Sequence, residues 1–288
     1  MATFNLITPE RAKYNISVPA SYTFTQTEED VIAALIAACS AKFQNYCSGR
    51  IFQVGQYDEI YSGDLGMFLF LGQMPLVSVE RVATTPMSIL RIMNTSWPTN
   101  IRATVQVLST GLKLVKVASG VTSEDVTVTW TANTTLAAVA TAVNALGSGW
   151  SAEVLDTNYN TWPSDDLREI QGALSVANSN AADLVIYEED INDFEVLEKI
   201  GALFRQSTWP RGHNNIRATF TAGFKDIPED LQQACAIMVA GEFAQTKRDP
   251  MSATGKTADF MYNVSNLFSY PWPGNVLTVL SSYRLRMR

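Results

Sequence analysis

The 288-residue chain holds a single histidine, three cysteines and few charges: Asp, Glu, Lys and Arg make up 17% of it, against about 25% in ordinary soluble domains. The lone histidine, His213, leaves little room for a Ser-His-Asp triad, and no Gly-x-Ser-x-Gly nucleophile elbow is present. It sits in Arg-Gly-His-Asn-Asn, which reads as an exposed hairpin turn. Cys39, Cys47 and Cys235 are odd in number and form no Cys-x-x-Cys. Two of them lie in apolar helix-like runs, so buried, reduced thiols are expected rather than disulfides or zinc ligands. No run of 18 apolar residues exists, so no membrane span is expected, and Met1–Glu10 lacks the basic-then-apolar pattern of a secretory signal.

Acidic residues occur in groups at Glu28-Glu29-Asp30, Asp165-Asp166 and Glu188-Glu189-Asp190. None has the spacing of a calcium loop. The first reads as helix-start charge and the other two as solvated loops. Thr254-Gly255-Lys256-Thr257 resembles the end of a phosphate-binding loop, but position 250, where that motif needs glycine, is proline. No cofactor, metal or catalytic residue is expected, and the chain is read as a non-enzyme.

What is present is a 47% apolar composition, enough for a substantial core. The net charge of −7 is unevenly spread. Residues 251–288 carry +3, from Lys256, Arg284, Arg286 and Arg288 against Asp259, and the first 250 carry −10. An acidic body argues against a sequence-specific nucleic-acid binder.

Hydrophobic spacing predicts a helix capped by Thr27, with Val31, Leu35, Cys39, Phe43 and Tyr46 as its stripe, widened by Ile32 and Ile36, and with Gly49 as its stop. Strands are expected over Ile51–Tyr61, Met67–Leu71 and Leu76–Val82. A Ser/Thr-rich stretch follows, with strands at Thr104–Leu108, Leu112–Ala118 and Val126–Trp130, an alanine-rich helix at Leu136–Leu146 and strands at Trp150–Leu155 and Leu184–Tyr187. Ala202–Gln206 and Asn215–Phe224 read as strands joined by a turn at Trp209-Pro210-Arg211-Gly212. A helix begins near Asp226 and Pro228, with Leu231, Cys235, Met238 and Val239 on its apolar face, and stops at Asp249-Pro250. A short last helix follows Pro273-Gly274.

These elements give an α+β fold: a small helical bundle with short antiparallel strands, carrying an inserted β-rich, βββαβ-like domain. Residues 1–86 and 191–288 are expected to form the core, and 87–190 a separately cored inserted lobe. Trp97, Trp130, Trp150 and Trp162 leave open an alternative reading as a surface or carbohydrate-binding β-module, and scattered acids leave open a hydrolase.

Several motifs recur in a telling order. Thr-Glu-Glu-Asp-Val-Ile opens the first long helix, followed by Tyr46…Arg50-Ile51-Phe52 and Leu69…Leu71…Pro75-Leu76-Val77-Ser78-Val79. Much later come Thr221-Ala222-Gly223-Phe224, Ile227-Pro228-Glu229-Asp230-Leu231 and Ala234. This order resembles the head–tail connector (adaptor, or head-completion) proteins of tailed bacteriophages, over roughly residues 25–86 and 200–288. The intervening segment, about 100 residues long, departs from the compact family pattern. The resemblance implies a structural virion protein of the capsid–tail neck, made in the host cytoplasm. It implies a homo-oligomeric ring, a dodecamer in the virion, beneath the portal protein. Such a ring extends the DNA channel, lets genomic DNA pass without sequence-specific binding, and docks a downstream neck, stopper or tail protein. It also implies that the C-terminal region holds the ring to the portal. Here that region offers Leu277, Leu280, Tyr283, Arg284, Arg286 and Arg288, with basic and apolar residues alternating at the end as an extended segment requires. So short a helix is marginal alone in water, so it is expected to be loose in the free subunit and to order on docking.

Overall fold

The computed structural model describes residues 5–19, 21–178, 180–246, 254–257, 260–263 and 274–284. Helix α1 is Pro9–Asn15 and α2 is Gln26–Tyr46. Strands β1 (Gly55–Gly63), β2 (Phe68–Phe70), β3 (Leu76–Asn94), β4 (Asn100–Leu108), β5 (Gly111–Ala118) and β6 (Val121–Thr129) follow. Then come α3 (Leu136–Ala145), β7 (Trp150–Val154), β8 (Leu174–Ser175), β9 (Ala181–Asp190), β10 (Glu195–Leu197), β11 (Ala202–Phe204) and β12 (Gly212–Ala222). The chain closes with α4 (Glu229–Thr246), a hairpin of β13 (Thr254–Thr257) and β14 (Phe260–Asn263), and α5 (Gly274–Tyr283). Helices and antiparallel ladders in separate groups make the fold α+β. No described helix is long and apolar enough to cross a membrane.

The sequence leaves α1 unread, although Thr8-Pro9-Glu10 is a start signal: Thr8 Oγ1 accepts from Arg11 N–H, and proline stands in the first turn. For α2 the cap is Thr25, not Thr27. Thr25 has glutamate three residues on, and the two close a reciprocal capping box in which Glu28 Oε2 accepts from Thr25 N–H at 2.9 Å. The centre of the buried stripe correspondingly falls on Ile32, Ile36, Cys39 and Phe43, with Val31 and Leu35 half-buried at its flank.

Buried side chains form three clusters. One joins α1, α2, α4 and α5. A second lies under the small sheet β10-β11-β2 and one face of β12. The third draws its fully buried members from Ile89–Ile186. In it, Leu136, Val139 and Val143 of α3 pack with Ala103, Val105 and Val107, the alternating inward residues of β4. The sheet β6-β5-β4-β8 belongs to this third group.

β3 outruns its expected end at Val82. It pairs with β12 as far as Ala83, then with β9, and from Leu90 also with β7. Pro86 falls where β9 is the sole described neighbour, so its missing N–H breaks no second ladder. β11 and β12, expected to be neighbours across a turn, lie in different sheets, and Trp209 between them is fully buried. Glu188-Glu189-Asp190 ends a strand instead of forming a loop.

The phasing of α2 can be tested directly. Ile36→Ala should cost about 2–5 kcal/mol in denaturant unfolding, the usual range for a fully buried aliphatic side chain, and Leu35→Ala clearly less. Equal losses at both positions would contradict the phasing.

Candidate functional site

The motif residues that lie far apart in sequence meet at one place, beneath α5. Phe224 N–H donates to Phe52 O (2.9 Å), and Gly223 N–H donates to Pro75 O (2.9 Å). Gly223 has φ +123°, and a Cβ there would stand 2.3 Å from Gln53 O. The Ala-Gly-Phe sequence therefore lets β12 leave its sheet hard against the chain that follows α2.

Arg50 occupies the centre of this crossing and is only 6% exposed. Its Nε donates to Met74 O (3.0 Å) and its Nη1 to Tyr283 O (2.8 Å), the last carbonyl of α5. Its guanidinium lies 5.0 Å from the Phe224 ring centre, 5.7 Å from Tyr283 and 6.0 Å from Phe52. Among the described residues no carboxylate pairs with it. Burial pushes its pKa down, against the raising influence of nearby Cys47 and Tyr283. The compensation comes from carbonyl oxygens, ring faces and the negative end of the α5 dipole.

α5 is thus docked in the subunit, which corrects the expectation of a loose helix. Val276 and Leu280 are fully buried, and Val279 and Tyr283 pack against the same core. Cys47 Sγ lies 3.6 Å from Leu280 O, and Tyr283 Oη donates to Asp230 (2.7 Å). The marginal propensity of a ten-residue helix is overridden by tertiary packing. Of the residues expected to meet a partner, Leu280 faces the subunit's own core, and Leu277 and Tyr283 are half-buried. Arg284 is exposed, its guanidinium 5.9 Å from the Tyr46 ring centre. Arg286 and Arg288 lie outside the described residues.

A second polar centre escaped the sequence reading. Arg217, on β12, donates to both carboxylate oxygens of Asp58 (2.9 and 2.7 Å) and to Asp166 Oδ1 (2.9 Å). Arg81, on β3, donates to the same Asp166 oxygen (2.5 Å) and to Asp190 (2.7 Å). Trp162 Nε1 donates to the other oxygen of Asp166 (2.8 Å). Asp166, read as a solvated loop residue, is 11% exposed. It ties the segment before β8 to β3 and β12. Nearby, an open cleft of about 750 Å³ is lined in part by Asp58, Arg168, Asp183 and Arg217. Asp58 and Asp183 are ion-paired there, to Arg217 and Arg91.

His213 is the second residue of β12 instead of sitting in a turn. It is exposed, with Nδ1 3.3 Å from Ser62 Oγ, and that oxygen also accepts from Asn214 N–H. Among the described residues no carboxylate orients the ring, and no group of three His, Cys, Asp or Glu side chains could hold a metal ion. The three thiols are buried, and burial raises their pKa to about 12 at Cys39 and Cys235 and about 11 at Cys47. Trp130 and Trp150 are core residues, and Trp162 is half-buried on Asp166. Trp97 alone of the four is exposed, so they form no shared stacking platform of the kind a carbohydrate-binding module would use.

No family model matches the chain, and no curated protein matches it. Among solved structures it is similar to a chain in the neck of an empty gene transfer agent particle, at 10% identity and a TM-score of 0.41, covering 98% of this chain and 92% of that one. It is also similar to a chain in the virion of a native gene transfer agent particle, at 12% identity and a TM-score of 0.36, with the same coverage.

Because Tyr283 O accepts from a buried arginine, a chain cut after Leu280 should be destabilised and not merely shortened. Thermal unfolding should show a lower midpoint for that chain than for one cut after Arg284. Equal midpoints would contradict the anchoring of α5.

Proposed function

We propose that this chain is a head–tail connector subunit of a tailed-phage-like particle. In this reading it forms a ring under a portal, extends the DNA channel and docks the next neck or tail component. One observation carries the reading: the short motifs of the connector resemblance, separated by up to about 180 residues, converge on a single crossing around Arg50, Phe52, Pro75, Gly223 and Phe224. Motifs drawn together in this way behave as one structural unit. The role is assembly, with no catalysis and no cofactor. Residues 87–190 act as a domain inserted into that unit.

The anchoring of α5 changes how the C-terminus would meet the portal. The docked helix offers Asn275, Thr278, Ser281 and Ser282 as its exposed positions, all polar. The portal contact is therefore assigned to the end of the chain, from Arg284 through Arg286 and Arg288, with Leu285 and Met287 between them. Arginine pairs bidentately with carboxylates, and such pairing between exposed groups weakens with salt.

The test is a pull-down of portal protein at low and high salt, with electron microscopy of the captured complex. The intact chain should add ring density beneath the portal. A chain cut after Arg284 should keep its fold and lose binding. Arg→Ala at 284, 286 and 288 together should remove the salt-dependent part. Equal binding by all three at every salt level would contradict this assignment.

A further inference from the structure

The buried side chains from Ile89 to Ile186 form a cluster of their own, which the chain enters along β3 and leaves along β9. β12 accompanies β3 only as far as Ala83, and β7 joins it only from Leu90. Between these points, among the described residues, β3 and β9 run as a two-stranded ribbon. Two paired strands alone make a weak, readily twisted connection. Thr85 lies in this ribbon at φ +60°, a left-handed conformation that is exceptional for a β-branched residue. Its side chain is exposed, and Oγ1 donates to Glu189 Oε2 (3.0 Å) within the ribbon itself. Backbone outliers of this kind gather at switch regions.

Outside the ribbon, the lobe is tied to the body through Asp166. Its Oδ1 accepts from Arg81 (2.5 Å) and Arg217 (2.9 Å), and its backbone O accepts from Arg217 (2.7 Å). Each arginine also has an acid that does not depend on this tie: Arg217 donates to Asp58, and Arg81 to Asp190. Breaking a half-buried ion pair is costly when a charge is left alone. Here neither arginine is left alone, so the tie can open without stranding a cation. The bond from Trp162 Nε1 to Asp166 lies within the lobe and travels with it. Open space adjoins the tie: the cleft of about 750 Å³ is lined by Asp58, Ile60 and Arg217 from the body and by Arg168, Ile170 and Val185 from the lobe.

We propose that residues 87–190 form a hinged arm, with the β3–β9 ribbon at Thr85 as the hinge and Asp166 as the catch that holds the arm in one of two orientations. This rests on reading the segment as an inserted domain and does not depend on the connector role. In the caught orientation Asp166 sits between Arg81 and Arg217. In the released one the arginines keep Asp190 and Asp58, and the arm turns about the ribbon. Tyr187 is the pivot: it pairs with Pro86 in the ribbon, its ring is fully buried, and its Oη donates to Asn214 O (2.7 Å) in the body. A hinge needs a few residues that absorb the backbone change while the parts on either side stay intact, and separately buried cores meet that need.

The experiment places one spin label on each part of the full-length chain, at Gln56→Cys in β1 and Thr127→Cys in β6, both exposed positions. The three native thiols are buried and stay unlabelled. Double electron–electron resonance gives the distance distribution between the parts, and hydrogen exchange follows β4, β5 and α3. Asp166→Asn removes the charge but can still accept a hydrogen bond, whereas Asp166→Lys sets a third cation against the two arginines. The distribution should widen in the order parent, Asn, Lys, by about twofold or more for Lys, as a shift away from one dominant orientation requires. Protection in β4, β5 and α3 should not change. Trp162→Phe removes a donor that belongs to the lobe and should leave the distribution as in the parent. A parent-like distribution in Asp166→Lys overturns the proposal and leaves the inserted-domain reading standing. So does equal widening in Trp162→Phe, which would assign the tie to packing around Trp162. Widening together with lost protection across β4, β5 and α3 would show that the lobe does not keep its own core, and removes the proposal and the inserted-domain reading together.

Discussion

A buried guanidinium that meets no carboxylate among the described residues is an unusual thing to build a fold around, and Arg50 is placed where three separate stretches of chain must agree. Its two hydrogen bonds end on Met74 O and Tyr283 O, and its faces are covered by Phe52, Phe224 and Tyr283. Desolvating a cation is costly, and the cost is offset only if all of these groups are in place at once. The C-terminal helix supplies one of the two carbonyls, one ring and the negative end of its dipole. The dependence is mutual: α5 is held by Arg50, and Arg50 is tolerable because α5 is there. The glycine at 223 belongs to the same constraint, since a Cβ at that position would stand 2.3 Å from Gln53 O, in the chain that runs on from Arg50.

The second polar centre works by the opposite device. Arg81 and Arg217 share Asp166, and their remaining donors go to Asp190, Tyr187 O and Asp58. Here two charges on the central sheet are balanced by acids carried on β1, on the end of β9 and on the short turn at Asp166. Such a network fixes the position of the segment that carries Asp166 more than it adds net stability, because ionic pairing and desolvation nearly cancel in half-buried sites. The β3 strand runs through the same region, so the sheet and the ion network constrain the same junction.

Much of this was legible in the sequence, for identifiable reasons. The helical stripe of Leu136, Val139 and Val143 and the two-residue alternation of β4 are local periodicities, and both bury the residues they select. The Thr25 cap was within reach, since glutamate at the third position distinguishes it from Thr27. What failed was non-local. β11 and β12 are close in sequence but do not pair with each other: β11 lies between neighbouring β10 and distant β2, and β12 between β1 and β3, both more than 100 residues away. Asp166 looked like loop charge because both of its arginines lie at distant positions. Arg50 was visible within a motif, but nothing in the flanking residues says that it is buried. The tail candidates divided for the same reason: Leu280 was selected correctly as apolar, while the surface that it faces is set by α4 and Arg50, not by its own segment.

Hydrogen exchange of the full-length chain and of Arg50→Met tests the central dependence most directly. Methionine keeps much of the volume and removes the two hydrogen bonds and the charge, leaving Tyr283 O and Met74 O without their donor. In the variant the α5 amides, from Val276 to Tyr283, should lose protection by about tenfold or more, as expected for an element released locally, while the amides of β4, β5 and α3 should keep theirs. Unchanged protection across α5 in Arg50→Met would show that the helix is held by its apolar face alone, and would contradict the role given to the buried cation.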